Sequence, residues 1–181
     1  MECRHVQIKD VAAINADQYS MRDAWQHIQY LDTGNVTKGS ISSLQQFDPS
    51  SDKVPSRARR KVKANSIVYS MVRPNQEHYA ILGNPPADML VSTGFAVIDA
   101  NQSAVSPNYL YYALTTKAAT KHFHALAEQC VSTYPTLSVS DLGSYTISLP
   151  PIDSQRRIEK VLSDLDARIA LNTKLNGYLA A

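Results

Sequence analysis

The C-terminal end of this 181-residue chain restricts its fold more than any other stretch. From Leu149 onward it reads LPPIDSQRRIEKVLSDLDARIALNTKLNGYL. Pro150 and Pro151 cannot continue a helix or a central strand, and Asp153 stands where a helix N-cap is expected. Apolar residues then recur at steps of three and four, which predicts a one-sided helix of about 40 Å over Gln155–Ala181. These apolar residues are Ile158, Val161, Leu162, Leu165, Ile169, Leu175 and Leu179.

Such a helix either lies on its own domain or pairs with a second helix. The sequence favours pairing, because the apolar stripe is narrow and Asn172 falls seven residues after Leu165. A polar residue at that place in a buried seam fixes the register of two helices, although the same asparagine also suits a solvated position. The residues expected in the seam are Ile158, Leu162, Leu165, Ile169, Asn172 and Leu179.

Length and composition fit one domain of ordinary size, residues 1–152, followed by a helical arm, residues 153–181. Hydrophobic residues make up 44% of the chain, and a net charge of +2 confines any nucleic-acid surface to a local patch. The sequence contains no apolar run long enough to span a membrane and no signal-peptide pattern. Cys3 and Cys130 are too few for a disulfide framework. A cytoplasmic protein is expected.

Short β-branched and aromatic runs predict a mixed, β-rich domain of the α/β (α+β) class with flanking helices. Strands are expected at 6–8, 28–31, 66–71, 78–82, 89–91, 95–99 and 145–149. Ser106 and Pro107 predict the start of a helix that runs to about Glu128. Shorter helical segments are expected at 10–14, 20–27 and 138–142.

The most uneven charge lies at residues 53–63, KVPSRARRKVK, where six of eleven residues are Lys or Arg and none is acidic. One interpretation is a solvated surface loop. The other is a loop that contacts phosphates, because cations that displace counterions from DNA supply most sequence-independent affinity. Further on, Arg73 precedes Pro74, which favours extended geometry and a side chain that projects from the end of a strand.

Motifs for catalysis are not found in the sequence. Asn84-Pro85-Pro86 is followed by Ala87, whereas amino-methyltransferases place an aromatic residue fourth, so these residues are read as a turn. No glycine-rich loop follows a strand to hold a methyl donor. Zinc ligands on one helix stand three or four apart, and His122 and His124 are two apart. The chain is therefore expected to bind rather than to catalyse.

Four segments together resemble the specificity subunits of type I restriction–modification systems. LPPIDSQRRIEKVLSDLDARIALNTKLN resembles the conserved helix that follows each target recognition domain in that family. Its matching residues are Pro150, Pro151, Gln155, Ile158, Leu162, Leu165, Asp166 and Ile169. The run from PSRARRKVK through VRPN to STGF resembles the recognition domain, as do IQYLDTGNVTKGSI and STYPTLSVSDLGSYTISLPP. The matching residues of that run are Ser56, Arg57, Ala58, Arg59, Val72, Arg73, Pro74, Ser92, Thr93, Gly94 and Phe95.

This resemblance implies recognition of one part of a bipartite site in double-stranded DNA by a non-catalytic subunit. Catalysis would belong to partners, namely a modification subunit that methylates adenine with S-adenosylmethionine and a restriction subunit that cleaves. This chain itself would bind no cofactor. Phosphate contacts are expected from Arg57, Arg59, Arg60, Lys61 and Lys63, and base-edge contacts from Arg73 and Asn75. Weaker candidates, for which ordinary loop polarity is the alternative, are Lys38, Ser92, Thr93, Thr133 and Tyr134.

One departure from the family bears on assembly. A full specificity subunit usually has two recognition domains and two conserved helices, and this chain has one of each, as a half-subunit or a fragment would. A natural half would pair as a homodimer through its helix and read a palindromic target. Two other interpretations stay open: a recognition domain of a fused methyltransferase–nuclease, and an interaction protein that docks a partner through its helix without binding DNA.

Overall fold

The computed structural model describes residues 3–130 and 134–179, with Met21 and Leu179 described by their backbone alone. Twelve strands and five α-helices lie in this part of the chain. The strands are β1 Arg4–Gln7, β2 Ala12–Ile14, β3 Ile28–Leu31, β4 Val36–Thr37, β5 Ser40–Ile41, β6 Gln45–Phe47, β7 Ala58–Lys61, β8 Ser66–Ser70, β9 Tyr79–Leu82, β10 Met89–Ser92, β11 Phe95–Ala100 and β12 Thr146–Leu149. The helices are α1 Ile8–Val11, α2 Pro107–Leu114, α3 Lys117–Glu128, α4 Val139–Ser144 and α5 Ile152–Leu179.

Two four-stranded sheets pack face to face. One has the strand order β6-β3-β10-β7 and the other β2-β11-β8-β9. The pairing of β3 with β10 is parallel, and the other strand pairs of these sheets are antiparallel. Between the sheets lies an apolar layer that includes Leu31 and Val91 from the first and Val68 and Val97 from the second. The mixed α+β class predicted from the sequence is confirmed.

The outer face of the second sheet carries the helices. Because side chains alternate along a strand, Ile67 and Tyr69 point away from Val68 and meet Leu110 of α2 and Phe123 of α3 in the largest core cluster. Burying whole Ile, Leu and Phe side chains contributes about 1.5–3 kcal/mol each. This layer therefore holds α2 in a fixed place, which matters below because α2 contacts the arm.

The two ends of the domain meet in a separate ribbon. Strands β1 and β12 pair antiparallel, with Arg4 opposite Leu149. Leu149 is buried, and Pro150 and Pro151 follow it directly. The base of α5 is thus attached to the start of the chain as well as to its preceding strand.

The helix predicted from Ser106 to about Glu128 is in fact two helices, α2 and α3, separated at Thr115 and Thr116. The Thr115 hydroxyl donates to the Tyr111 carbonyl oxygen, and the Thr116 hydroxyl accepts from the Ala119 backbone N–H at 3.2 Å as an N-cap. Threonine side chains compete for backbone groups in this way. The apolar pattern runs through the break unchanged, so the sequence alone did not reveal it.

Other boundaries also shift from their predicted places. The N-terminal helical turn is Ile8–Val11, and Ala12–Ile14 is a strand paired with β11. The helix expected at 20–27 is a short 3-10 turn, Met21–Asp23. Helix α5 begins at Ile152, so Asp153 lies in the first helical turn and not at the N-cap. Its carboxylate still interacts favourably with the positive end of the helix dipole. Within the described residues, no helix combines the length and apolarity that crossing a bilayer requires.

Candidate nucleic-acid interface

Several strands of both sheets start or stop at one end of the domain. Strands β3, β8 and β10 end there, and β7, β9 and β11 begin there. The segments that join them or lie beside them are 32–39, 56–60, 71–78, 92–95 and 134–137, and we call this surface the recognition edge. It gathers most of the residues that the sequence singled out, although these lie as far apart in the chain as Lys38 and Tyr134.

Backbone hydrogen bonds between the segments hold the recognition edge together. Each of these bonds joins two segments that are distant in sequence, so the edge is a structured surface and not a set of independent loops. The bonds run from Thr93 N–H to the Arg57 carbonyl oxygen (2.9 Å), from Met71 to Gly94 (2.8 Å), from Arg73 to Pro135 (2.9 Å) and from Lys38 to Glu77 (2.9 Å).

Three guanidinium groups of this surface are available to a ligand. Arg57, Arg59 and Arg73 are exposed. Among the described residues, no carboxylate oxygen lies within 4 Å of any of them. Arg59 donates through Nε to the Ser56 carbonyl oxygen at 3.2 Å, which orients its side chain and leaves its charge uncompensated. The edge therefore carries local positive charge on a chain whose net charge is only +2.

Arg73 does not have the extended backbone predicted from the proline after it. Its φ is 48° and its ψ is 65°, in the left-handed region, and Pro74 begins a 3-10 turn. Tertiary contacts override the local preference, because the Arg73 N–H is bonded to Pro135 and Val72 bridges to Thr136. The guanidinium carbon lies 5.1 Å from the centre of the Tyr134 ring. A cation held over an aromatic face is attracted by the ring quadrupole, so Arg73 has a preferred direction.

Lys38 also lies at this edge, but its charge is compensated. Its Nζ is 2.8 Å from Glu77 Oε2. Lys38, Arg73 and Glu77 all have positive φ, at 47°, 48° and 57°. Positive φ in residues other than glycine costs energy, and such residues cluster at functional sites. Glu77 was missed by sequence reasoning, because nothing in the 38 residues between it and Lys38 signals the contact.

The basic run is not a single loop. Residues 58–61 form β7, which pairs with β10. The charged side chains of the run lie in different surroundings. Arg60 is half-buried and donates through Nη2 to the Thr93 carbonyl oxygen at 3.3 Å; burial lowers the pKa of its guanidinium. Lys61 Nζ lies 2.6 Å from Asp23 Oδ1, and this hydrogen bond raises the pKa of Lys61 and lowers that of Asp23. Lys63 lies at the opposite end of the sheet, 3.4 Å from Asp99.

The remaining predicted contacts fall into different classes. Asn75 and Thr93 are exposed at the edge, while Ser92 is fully buried and its hydroxyl accepts the Gly94 N–H at 3.3 Å. The place of Ser92 therefore suits support of the turn rather than contact with a ligand. Thr133 lies outside the described residues. Gly94 lies in a crowded place, because an added Cβ would be 3.0 Å from Thr33 Cγ2.

The comparison with known families shows to which family the chain belongs. The sequence model of the type I restriction modification DNA specificity domain matches residues 2–180. The chain belongs to this family. The resemblance read from the sequence is thereby confirmed over almost the whole length of the chain.

Relatives of this specificity domain are longer than the chain itself. The HindI specificity subunit of Haemophilus influenzae is 27% identical over 157 residues, which cover 87% of this chain and 34% of the relative. The HsdS subunit of Thermoanaerobacter tengcongensis has a TM-score of 0.80 at 23% identity, covering 96% of this chain and 44% of that one. A second solved structure has a TM-score of 0.80 at 24% identity, covering 96% of this chain and 44% of the other. Its title describes the structural basis of complex assembly and conformational transition of the type I R-M system. The specificity domain thus has the fold of these subunits and spans about a third of the length of the curated relative.

The arm of the specificity domain exposes most of its apolar stripe. Ile158, Leu165 and Ile169 are 42%, 49% and 64% exposed, and Leu162 is half-buried. Val161 and Leu175 are exposed beside them and lie at heptad spacing from Arg168, which stands between them; the sequence reading left both out of the seam. The Leu179 side chain is not described.

Asn172 is exposed as well and continues the line of Ile158 and Leu165 at steps of seven. The side of α5 that faces the domain carries Gln155 and Asp166, both bonded to domain residues. At 3.6 residues per turn, that side is about a quarter turn away from the stripe. The line of Ile158, Leu165 and Asn172 therefore lies beside the packing face of α5, whereas Leu162 and Ile169 lie closer to the domain.

Proposed function

We propose that the chain is the DNA-reading component of a type I restriction–modification complex and recognises one part of a bipartite DNA site. The observation that carries the proposal is the recognition edge, where backbone bonds hold exposed Arg57, Arg59 and Arg73 on one surface. Membership of the specificity domain family supports it. A rigid arrangement of cations suits DNA, because phosphates lie at fixed intervals along the duplex.

The residues of the recognition edge are proposed to contact different parts of the DNA. Arg57 and Arg59 are proposed to contact phosphates, which position the protein without reading sequence. Arg73 and Asn75 lie on the same turn and are proposed to contact base edges. In the major groove arginine can address guanine and asparagine can address adenine, each through two hydrogen bonds. The Tyr134 ring would keep Arg73 pointing in one direction while DNA approaches.

Catalysis is assigned to partner subunits in this proposal. A modification subunit that holds S-adenosylmethionine would methylate adenine, a restriction subunit would cleave, and this chain would bind no cofactor. A base that is methylated leaves the stack, so the recognition edge would hold the duplex while the partner reaches the base. The complex would act on DNA in the cytoplasm.

The arm is proposed to pair with a second helix through the stripe of Ile158, Val161, Leu165 and Leu175. If the second helix belongs to another copy of the chain, two-fold symmetry makes the two halves of the target palindromic. If it belongs to a second recognition domain, the halves differ in sequence.

The test is a selection from randomised duplex DNA with the chain co-purified with its modification subunit. Recovery of short fixed elements is expected, absent from a parallel selection with the modification subunit alone. Two palindromic elements at a fixed gap indicate two copies, and one asymmetric element indicates one recognition domain acting alone. No enrichment over the input library contradicts the proposal and favours a helix-docking protein that does not bind DNA.

A further inference from the structure

Side chains at the base of the arm form hydrogen bonds to the residue that precedes α2. Neither helix pairing nor contact with DNA accounts for these bonds. Gln155 is 1% exposed. Its Oε1 accepts the Ser106 backbone N–H at 2.9 Å, and its Nε2 donates to the Pro150 carbonyl oxygen at 2.9 Å. The Ser106 hydroxyl donates to Glu159. The first two turns of α5 are therefore tied to the residue that precedes α2.

A second bond joins the same two helices farther along the arm. The Tyr112 hydroxyl donates to Asp166 Oδ2 at 2.8 Å. Burial, followed by this hydrogen bond, raises the pKa of Tyr112. Asp166 follows Gln155 by eleven residues, which is about 16 Å along a helix. Two attachments at this separation fix the direction of α5, whereas a single attachment would let the helix rotate about it.

Packing does little to fix the arm beyond Asp166. A groove of about 840 Å³ separates α5 from the domain there, and Tyr79, Tyr111, Ile169 and Thr173 line it. The Thr173 hydroxyl bonds within its own helix, to the Ile169 carbonyl oxygen. Among the described residues after Asp166, no hydrogen bond or ion pair to the domain is found. The direction of the outer arm thus depends on its inner half.

We infer that Gln155 and Tyr112 are positioning residues that set the gap between the two halves of the DNA site by fixing the angle of α5. This rests on the proposed function. A helix of 28 residues is about 42 Å long, so a tilt of about 10° at its base moves its tip by about 7 Å. That distance corresponds to about two base pairs of duplex. A small loss of angular control would therefore change which gaps are bound.

The experiment repeats the selection with Tyr112→Phe, which removes one hydroxyl and keeps the ring. The wild-type protein is expected to recover two elements at a single gap. The variant is expected to recover the same elements at that gap and at gaps about one base pair longer and shorter. The double variant Tyr112→Phe/Gln155→Leu is expected to recover the elements over a wider range of gaps, because both attachments are lost.

Tyr109→Phe is the matched control. Tyr109 lies on the same helix, but its hydroxyl donates to the Ser148 carbonyl oxygen of β12, inside the domain, at 2.6 Å. This variant loses an equivalent hydrogen bond and is expected to keep the single gap. Circular dichroism melting of each variant separates a change of arm angle from loss of the fold.

The outcomes separate this inference from the proposed function. An unchanged single gap with folded Tyr112→Phe overturns the inference and leaves DNA recognition intact. A wild-type selection that yields one element without a partner element also overturns it, since the arm then sets no gap. If the wild type enriches nothing, the proposed function itself fails.

Discussion

Arg73 of the β8–β9 turn lies over the ring of Tyr134, with 5.1 Å between the guanidinium carbon and the ring centre, although 60 residues separate them in sequence. The contact joins two segments of the recognition edge through side chains where the Arg73–Pro135 bond already joins their backbones. An arginine that binds a base with two hydrogen bonds needs a defined orientation. In the proposed function, the tyrosine would supply that orientation before DNA binds.

Arg73→Ala is expected to reduce discrimination at one base pair of the target. The loss is about 1–3 kcal/mol at that position, because one bidentate contact to a base edge is removed. Binding to duplexes with single base-pair changes, measured by fluorescence anisotropy at fixed salt, checks this. Lys63→Ala is the matched control, because it removes one charge at the opposite end of the sheet, where Lys63 is paired with Asp99. Equal losses on all sequences would move Arg73 to the phosphate-contacting group.

The double variant Arg57→Ala/Arg59→Ala is expected to weaken binding to all sequences alike. Each phosphate contact contributes close to one unit of the slope of log affinity against log salt concentration, so the slope becomes shallower by up to about two units. Titrations at several salt concentrations measure it. Lys61→Ala is expected to leave the slope nearly unchanged, because Lys61 is already paired with Asp23. A normal slope in the double variant would contradict the phosphate assignment.

Gly94→Ala is expected to lower stability and to disturb the recognition edge. The added Cβ would lie 3.0 Å from Thr33 Cγ2, and crowding of this kind costs about 1–3 kcal/mol. A lower melting temperature in calorimetry, together with weaker DNA binding, is the expected result. Gly34→Ala is the control, since nothing lies within 4 Å of its added Cβ. Equal melting temperatures for the two variants would show that the edge accommodates the methyl group.

The sequence predicted the layers of this fold better than the surroundings of its charges. Strands such as Ile28–Leu31 and Ser66–Ser70 follow from local β-branched and aromatic runs, and the arm follows from helical periodicity. The division of the basic run does not follow from local pattern, because the partners of Lys61 and Lys63 are Asp23 and Asp99, each more than 30 residues away. In the sequence, the Lys and Arg residues of such a run cannot be told apart. Only the folded structure shows which of them pair with carboxylates.

The conformation of Arg73 shows the same limit on a smaller scale. The proline after it favours extended geometry, but the folded chain adopts a positive φ because Pro135 accepts the Arg73 N–H. The family resemblance indicated that this arginine matters without indicating how it is held. Long-range hydrogen bonds decide orientation, and no local pattern contains them.

Leu165→Asp is expected to abolish self-association of the arm, if the second helix comes from another copy of the chain. Leu165 is half exposed at the centre of the stripe, and an aspartate there would bury a charge in each paired helix. Light scattering should give the mass of one chain for the variant and of two for the wild type. Ala167→Asp is the matched control, because it adds the same charge to the same helix on the side away from the stripe and should leave the dimer intact. A dimer that survives Leu165→Asp would place the contact elsewhere, and a wild-type chain that is already monomeric would assign the stripe to a different partner helix.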